Sequence, residues 1–354
     1  MGAIDADAHV LESPATWGYL AEDERRFLPM IVTQTFGNDV RDNQGGGTQR
    51  DYWVVDNRIM GKDRNVGREM TREMREMEDI PGRLRHMDEL GIDVQVLYPT
   101  LFLRPVTQNF QVEYALARSY NRWLANIWRQ SHDRLRWVAV PPLRSMDRVR
   151  EELEFARENG ACGIFMRGLE CEKALGDPYF WPLYEMAQAL DMPVCVHSAS
   201  GSVIVHDFFQ DDTTFTKFKL AVVGAFHSLV EKRIPERFPG VRWGFVEVSA
   251  QWVPYVLNDL EDRFRRKGES WYADPLKDNN MYVACEVTDD LPYVLKHAGT
   301  DNIVIGTDYG HHDPSSEIDA VSLLRQDSRV DAATAARILE ANPRALYGLG
   351  GGSA

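Results

Sequence analysis

Short apolar runs recur along the chain, separated by longer stretches whose apolar residues return every three or four positions. The short runs lie around Ile4–Val10, Val94–Pro99, Leu135–Val140, Gly163–Met166, Pro193–His197, Trp243–Val248, Met281–Cys285 and Ile303–Thr307. Continuous apolar runs of this length suit strands buried on both faces, and the longer stretches suit helices crossing over between parallel strands. Eight such units are the number that closes a barrel. The predicted fold class is therefore α/β, a (β/α)8 TIM barrel.

The helical stretches carry their own signals. VTQNFQVEYALARSYNRWLANIWRQ has widely recurring apolar positions, and MDRVREELEFARENG places Val149, Leu153 and Ala156 on one stripe before Gly160. PYFWPLYEMAQAL precedes the fifth run, FTKFKLAVVGAFHSLVEKRIPERF precedes the sixth, and QWVPYVLNDLEDRFRRK follows the sixth. DAATAARILEANPRALYGL begins at the potential cap Asp331 and contains Pro343, where a break or a second short helix is expected.

Between the first two runs, residues 12–82 form an irregular excursion with flexible glycines, a strand-like WVV and a turn-like DNR. A simple βα loop is far shorter. After strand one an excursion emerges on the catalytic face, where it covers the site, supplies a subunit contact or merely decorates the barrel. Residues 1–350 read as one domain, although length alone also allows two, and 351–354 as a flexible tail.

Composition narrows the partners. The chain has 354 residues, 44% of them apolar, and a formal charge of −14 from 40 Lys plus Arg against 54 Asp plus Glu. That balance argues against a broad nucleic-acid or anionic-membrane surface. The amino terminus lacks a signal-like apolar core, and no run of about eighteen apolar residues suggests a membrane span. MGAIDA lacks the serine or threonine a myristoylation signal carries at position 6. The four cysteines form no CxxC pair, and Cys195 and Cys285 sit in strand-like runs as core thiols. A cytoplasmic setting is expected.

Asp7 and His9 end the first run two residues apart, so on a strand both face one side and reach one ion from the barrel mouth. His197 ends MPVCVH, and Asp308 follows NIVIGT. Catalytic side chains of this architecture project from the carboxyl ends of strands, so all four can converge. Two imidazoles and two carboxylates suit one divalent ion, zinc first, manganese close behind, iron third. The plainer alternative makes His9 or His197 a hydrogen-bonded core histidine and Asp308 a cap.

Taken together, IDADAHVLE at 4–12, HMDELGIDVQVLYPT at 86–100, FWPLYEMAQALDMPVCVHSA at 180–199, RFPGVRWGFVEVSAQWVPYVLNDLEDR at 237–263, VIGTDYGHHD at 304–313 and the final NPRALYGL span nearly the whole chain. Across them the sequence resembles the amidohydrolase-related group that includes aminocarboxymuconate semialdehyde decarboxylase and the resorcylate-type decarboxylases. The resemblance implies that Asp7 and His9 form the opening metal pair, that His197 is the strand-five ligand and that Asp308 is the strand-eight ligand. It also implies a homo-oligomer, with a dimer favoured. Two positions depart from the group. Glu247 stands where the characterised decarboxylases have histidine, and Asp7 replaces the first histidine of the HxH form used by some relatives. A glutamate binds metal, orients water or carries a proton, but it does not inherit every role of an imidazole.

Beyond the metal set, Arg167 in GIFMRG is a candidate fork for a substrate carboxylate, against a salt bridge that orients a loop. Arg104 is a weaker candidate for the same task. Phe102, Trp252 and Tyr309 are candidate lining residues, with Trp252 and Tyr255 equally suited to ordinary packing. His312 is favoured over His311 for orienting a ligand or proton, because the resemblance places a histidine near the end of that motif. The expected substrate is a small aromatic or conjugated carboxylic acid. The expected reaction is nonoxidative decarboxylation, with Asp308, Glu247 and His312 as catalytic groups. Hydrolysis of an amide, lactone or activated carbon–carbon bond is the alternative, and an inactive metal-stabilised binding protein is a third.

Overall fold

The computed structural model describes residues 2–35, 49–62, 70–209, 215–312 and 315–350. Its centre is an eight-stranded sheet of β1 (Ala3–His9), β2 (Ile92–Tyr98), β3 (Leu135–Ala139), β4 (Ala161–Arg167), β5 (Val194–His197), β6 (Trp243–Val246), β7 (Met281–Cys285) and β8 (Ile303–Ile305). The strands neighbour one another in chain order, and every paired register is parallel. All eight sequence-predicted runs fall on these strands.

Closure comes from the residues just past β8. Asp308 N donates to Asp7 O at 2.9 Å and His9 N donates to Tyr309 O at 2.6 Å. Below them, Thr307 donates through N (2.8 Å) and Oγ1 (2.6 Å) to the buried Asp5 carboxylate. Gly306 permits this approach, because a Cβ there would lie 2.3 Å from Asp7 Cβ. The architecture is a (β/α)8 barrel.

Helices cover the outside. The stripe of Val149, Leu153 and Ala156 is fully buried on the helix Met146–Glu158. The long pattern before the third run forms Phe110–Arg129, and QWVPYVLNDLEDRFRRK forms Val253–Lys267. Asp331 caps the last helical segment by accepting from Ala333 N and Thr334 N. The chain then passes through a wide turn at Arg337–Ala341, and Pro343 sits in the first turn of Asn342–Tyr347, where its missing N–H costs nothing.

The excursion is more ordered than its composition predicts. It holds two 3-10 turns, Pro14–Tyr19 and Glu22–Phe27, and an antiparallel sheet of Met30–Thr35, Gln49–Val55 and Arg58–Gly61. The strand-like WVV and the turn at DNR belong to that sheet, whereas the glycines at 45–47 and the tail at 351–354 lie outside the described residues. The hairpin reaches over the mouth: Thr107 donates to Asp56 at 2.8 Å, and Arg58 donates to both oxygens of Asp207 (2.6 and 3.2 Å). Trp53 packs edge-on against Trp17 with ring centres 6.0 Å apart, and Trp17 packs on Phe102, just past β2, at 6.4 Å, which ties the sheet to the barrel rim.

Cys162, Cys195 and Cys285 are buried free thiols, and Cys171 is half-buried. Among the described residues, no helix is long and apolar enough to cross a membrane.

Candidate active site

Strand alternation turns Asp7 and His9 of β1 into the barrel, and β5 ends with His197 facing them. Two loops complete the group. Glu247 follows β6 with φ +60°, and Asp308 follows β8 with φ +52°. Left-handed backbone is unfavourable for residues with a Cβ and persists where surrounding contacts over-determine it. The β6 loop has such a contact: Asp289 accepts from Ser249 Oγ, from Ala250 N (2.8 Å) and from Glu286 N (2.9 Å). After β8, Gly310 at φ +107° lets the chain pass so close to His9 that a Cβ would lie 3.1 Å from its carbonyl oxygen.

The donor atoms converge. His9 Nε2 lies 3.1 Å from His197 Nε2, 3.3 Å from Asp308 Oδ1, 3.6 Å from Asp7 Oδ1 and 3.9 Å from Glu247 Oε2. His197 Nε2 lies 3.3 Å from Asp7 Oδ1 and 3.1 Å from Glu247 Oε2. Ligands about 2.1 Å from one ion stand roughly 3.0 to 3.6 Å from each other, so all of these separations but the 3.9 Å between His9 and Glu247 fall in the range of a shared cation. The donor set falls into two overlapping groups, Asp7, His9, His197 and Glu247, and His9, Glu247, Asp308 and His311.

Proton positions follow from the partners. A carbonyl only accepts, so His9 Nδ1 donates to Pro99 O at 3.1 Å and His197 Nδ1 to Ser198 O at 3.3 Å. With Nδ1 so occupied, either ring in its neutral form turns an Nε2 lone pair to the centre, the usual support for a metal-ligating imidazole. Burial first, then the neighbouring His311 and His197 rings, hold His9 well below the ordinary imidazole range. Asp308 Oδ1 is buried and accepts no well-aligned hydrogen bond. A divalent ion fits this donor set.

His311 completes the wall. Its ring stacks on His9 at 3.9 Å between centres, and its Nδ1 lies 2.9 Å from Asp308 Oδ1, off the line of a good hydrogen bond. The Thr100 hydroxyl spends its single proton on Val10 O (2.8 Å), so the 2.9 Å contact between Thr100 Oγ1 and His311 Nε2 is donated by the ring. The other ring nitrogen, Nδ1, faces Asp308.

Several sequence expectations change in position. His312 is exposed, and His311 occupies the place expected for it, because the turn at Gly310 directs the first histidine inward. Arg167 is committed to Glu170 through Nε (2.8 Å) and Nη2 (2.7 Å), while Nη1 donates to Phe102 O and Arg104 O, both at 2.9 Å. It orients loops, as the salt-bridge alternative had it. Tyr309 is buried beneath the site, its hydroxyl paired with His86 Nδ1 at 2.8 Å and its ring 3.5 Å from the Arg83 guanidinium. Trp252 packs on Phe226 and donates Nε1–H to Ser249 O at 2.7 Å, which supports the Glu247 loop, and Tyr255 is exposed. Arg104 lies beside Lys62 in a small cleft under the excursion.

Phe102 lines a larger cleft at the carboxyl ends of β2–β4, together with Phe165, Arg144 and Glu113. The Phe165 ring stands 6.2 Å from the His197 ring, so the cleft abuts the donor cluster. Sequence reasoning passed over Glu12, Arg83, Glu113 and Arg144. Glu12 accepts from Thr100 N (3.2 Å) and Leu101 N (2.8 Å), and burial pushes its carboxyl up to about 7. Nothing in local spacing marks these side chains as inward, although the acidic position within IDADAHVLE was a usable signal for Glu12.

The amidohydrolase family's sequence profile matches residues 4–349. No curated protein matches the sequence significantly. Among solved structures, an amidohydrolase from Mycobacterium avium subsp. paratuberculosis K-10 is 19% identical over 99% of each chain, with a TM-score of 0.76. A 5-carboxyvanillate decarboxylase from Novosphingobium aromaticivorans DSM 12444, complexed with manganese and 4-hydroxy-3-methoxy-5-nitrobenzoic acid, is 20% identical over 75% of this chain and 79% of that one, with a TM-score of 0.63. A 4-oxalomesaconate hydratase from Rhodopseudomonas palustris is 16% identical over 98% and 95%, also with a TM-score of 0.63. The chain belongs to the amidohydrolase family and is an enzyme of that family.

Proposed function

We propose that this enzyme performs metal-dependent nonoxidative decarboxylation of a small aromatic or conjugated carboxylic acid. The observation that carries the reading is the convergence of Asp7, His9, His197, Glu247, Asp308 and His311 in two overlapping donor groups beside an aromatic-walled cleft. A divalent ion held by Asp7, His9, His197, Glu247 and Asp308 supplies Lewis acidity and neutralises negative charge. Phe102 and Phe165 sandwich or flank a flat acid and exclude water. The bond between the ring or alkene carbon and the carboxylate breaks, carbon dioxide leaves with the electron pair of that bond remaining on the carbon, and a proton passes to that carbon through Asp308 or the adjacent His311.

Metal-loaded enzyme incubated in deuterated water with a panel of aromatic and unsaturated acids should release stoichiometric carbon dioxide and place deuterium at the vacated carbon. Hydrolysis products without gas would overturn the reading. Zinc is the proposed ion, with manganese next and iron third, and metal analysis of purified protein with reconstitution tests the order. A homodimer in the cytoplasm completes the proposal on the strength of the sequence resemblance, and light scattering of the purified protein tests the dimer.

Glu247 favours a second reading. A carboxylate replacing an imidazole at the centre is suited to accept a proton from attacking water, with Asp308 sharing that task, in hydrolysis of an amide, lactone or activated carbon–carbon bond. Solvent oxygen appearing in the product would favour it, and its absence would end it.

A further inference from the structure

The cleft beside the donor cluster contains two arginines in very different states. Arg167 is saturated by Glu170 and two carbonyls. Arg144 follows β3 and is 19% exposed in its side chain, yet its guanidinium donates no hydrogen bond among the described residues. Its nearest acid is Glu113, with Arg144 Nε 3.7 Å from Oε1, beyond hydrogen-bond reach. The good contact between them is made by the backbone, with Arg144 N donating to Glu113 Oε2 at 2.6 Å. That bond fixes the residue's place on the loop and leaves the guanidinium, paired with Glu113 only at ion-pair distance, without a protein hydrogen-bond acceptor among the described residues and open to the cleft.

A largely buried guanidinium loses hydration and regains it only through good acceptors. Phe102, Phe165, Val106 and Pro141 supply apolar walls around it, and of the acceptor-bearing side chains that line the same cleft Glu170 is paired with Arg167 and Thr107 donates to Asp56. Burial is also the main reason the Glu113 carboxyl is pushed up to about 7, so this acid only partly compensates the cation near neutral pH. The guanidinium thus turns a planar, bidentate face to an anion in a cleft whose Phe165 wall stands 6.2 Å, ring centre to ring centre, from His197.

We propose that Arg144 binds a second carboxylate of the substrate, so that the enzyme takes a planar dicarboxylic acid with one acid group at the donor cluster and the other at Arg144. This rests on the proposed reading in placing a first carboxylate at the cluster, but it does not depend on which reaction follows. Phe102 and Phe165 hold the flat scaffold between the two ends. Glu113 opposes the dianion in its ionised form and tempers affinity as pH rises.

The test is binding without turnover. Dissociation constants of benzoate, phthalate, isophthalate and terephthalate are measured by calorimetry on zinc- and manganese-loaded protein, with metal content determined in each sample. The best of the three dicarboxylates should bind roughly tenfold or more tighter than benzoate, the increment expected of a charge-assisted pair. In Arg144→Met the ratio should fall to about one, in Arg144→Lys it should be intermediate, and in Glu113→Gln it should rise above the wild-type value at pH 8. A ratio near one in the wild type, or an undiminished ratio in Arg144→Met, overturns the proposal, as does loss of benzoate and dicarboxylate binding together in a folded Arg144→Met protein. If Arg144→Met does not fold, the Arg144→Lys and Glu113→Gln ratios decide. Absence of carbon dioxide release with the preference intact would instead sink decarboxylation alone.

Discussion

His9 and His197 point their Nε2 atoms at each other across 3.1 Å, while the Nδ1 of each ring is spent on a backbone carbonyl. Neither nitrogen has a hydrogen to give the other in the neutral rings, so the contact is repulsive unless a cation joins it. Their burial makes proton uptake by His9 an expensive remedy, and the surrounding carboxylates make a metal ion the cheaper one.

The first prediction follows from that pair. His197→Ala and Glu247→Ala should each weaken zinc or manganese binding by at least about 100-fold, since even losing an outer partner of a ligand costs about 10- to 100-fold. Competition with a chromophoric chelator measures this, and near-normal retention in either variant would remove that residue from the ligand set.

Asp289 holds the strained Glu247 loop without touching the donor cluster, through Ser249 and Ala250. Asp289→Asn should lower metal affinity about 10-fold or more with a smaller effect on global stability. Paired chelator competition and urea melts separate the two effects. An equal loss in both would mark Asp289 as a plain structural residue.

Arg167 and Glu170 form a largely buried bidentate pair. Arg167→Met leaves the Glu170 carboxylate buried without its partner and should destabilise the protein by about 3 to 5 kcal/mol. Adding Glu170→Gln to the same chain should recover much of that loss. Chemical denaturation of the single and double variants checks the pair, and no recovery would show that Arg167 acts through packing instead.

Glu113 gives a pH prediction with a definite sign. Its folded carboxyl is raised, chiefly by burial, from the ordinary 4.5 to about 7, so the folded protein holds this proton more tightly than the unfolded chain does. Its contribution is fully present below about pH 4.5 and is lost as pH rises through about 7. Glu113→Gln should therefore gain about 3 kcal/mol relative to wild type between pH 4 and pH 8. Urea melts of metal-free protein at both pH values measure the difference, and a constant offset would remove the effect from Glu113.

The barrel was legible because its eight strands are buried on both faces, which forces each into a compact apolar run such as MPVCVH or NIVIGT. Strand-end position then singled out Asp7, His9, His197 and Asp308 without any knowledge of contacts. The excursion was less legible: its sheet lies against the rim and mixes exposed Met30, Val32 and Ile59 with buried Trp53, so no clean alternation emerges. The choice between His311 and His312 was hidden for a different reason. Adjacent residues differ in direction through one backbone turn, and that turn depends on Gly310 passing against His9.

The sequence by itself determined the parallel barrel and the strand-end chemistry, since apolar periodicity and residue type are local properties that the fold must respect. Tertiary structure alone decided that Glu247 joins the donors, that Arg167 is consumed by Glu170 and that Arg144 meets Glu113 only at 3.7 Å, beyond hydrogen-bond reach. Those outcomes depend on distances between segments remote along the chain, and the energy of a charge depends on what stands within a few ångströms of it.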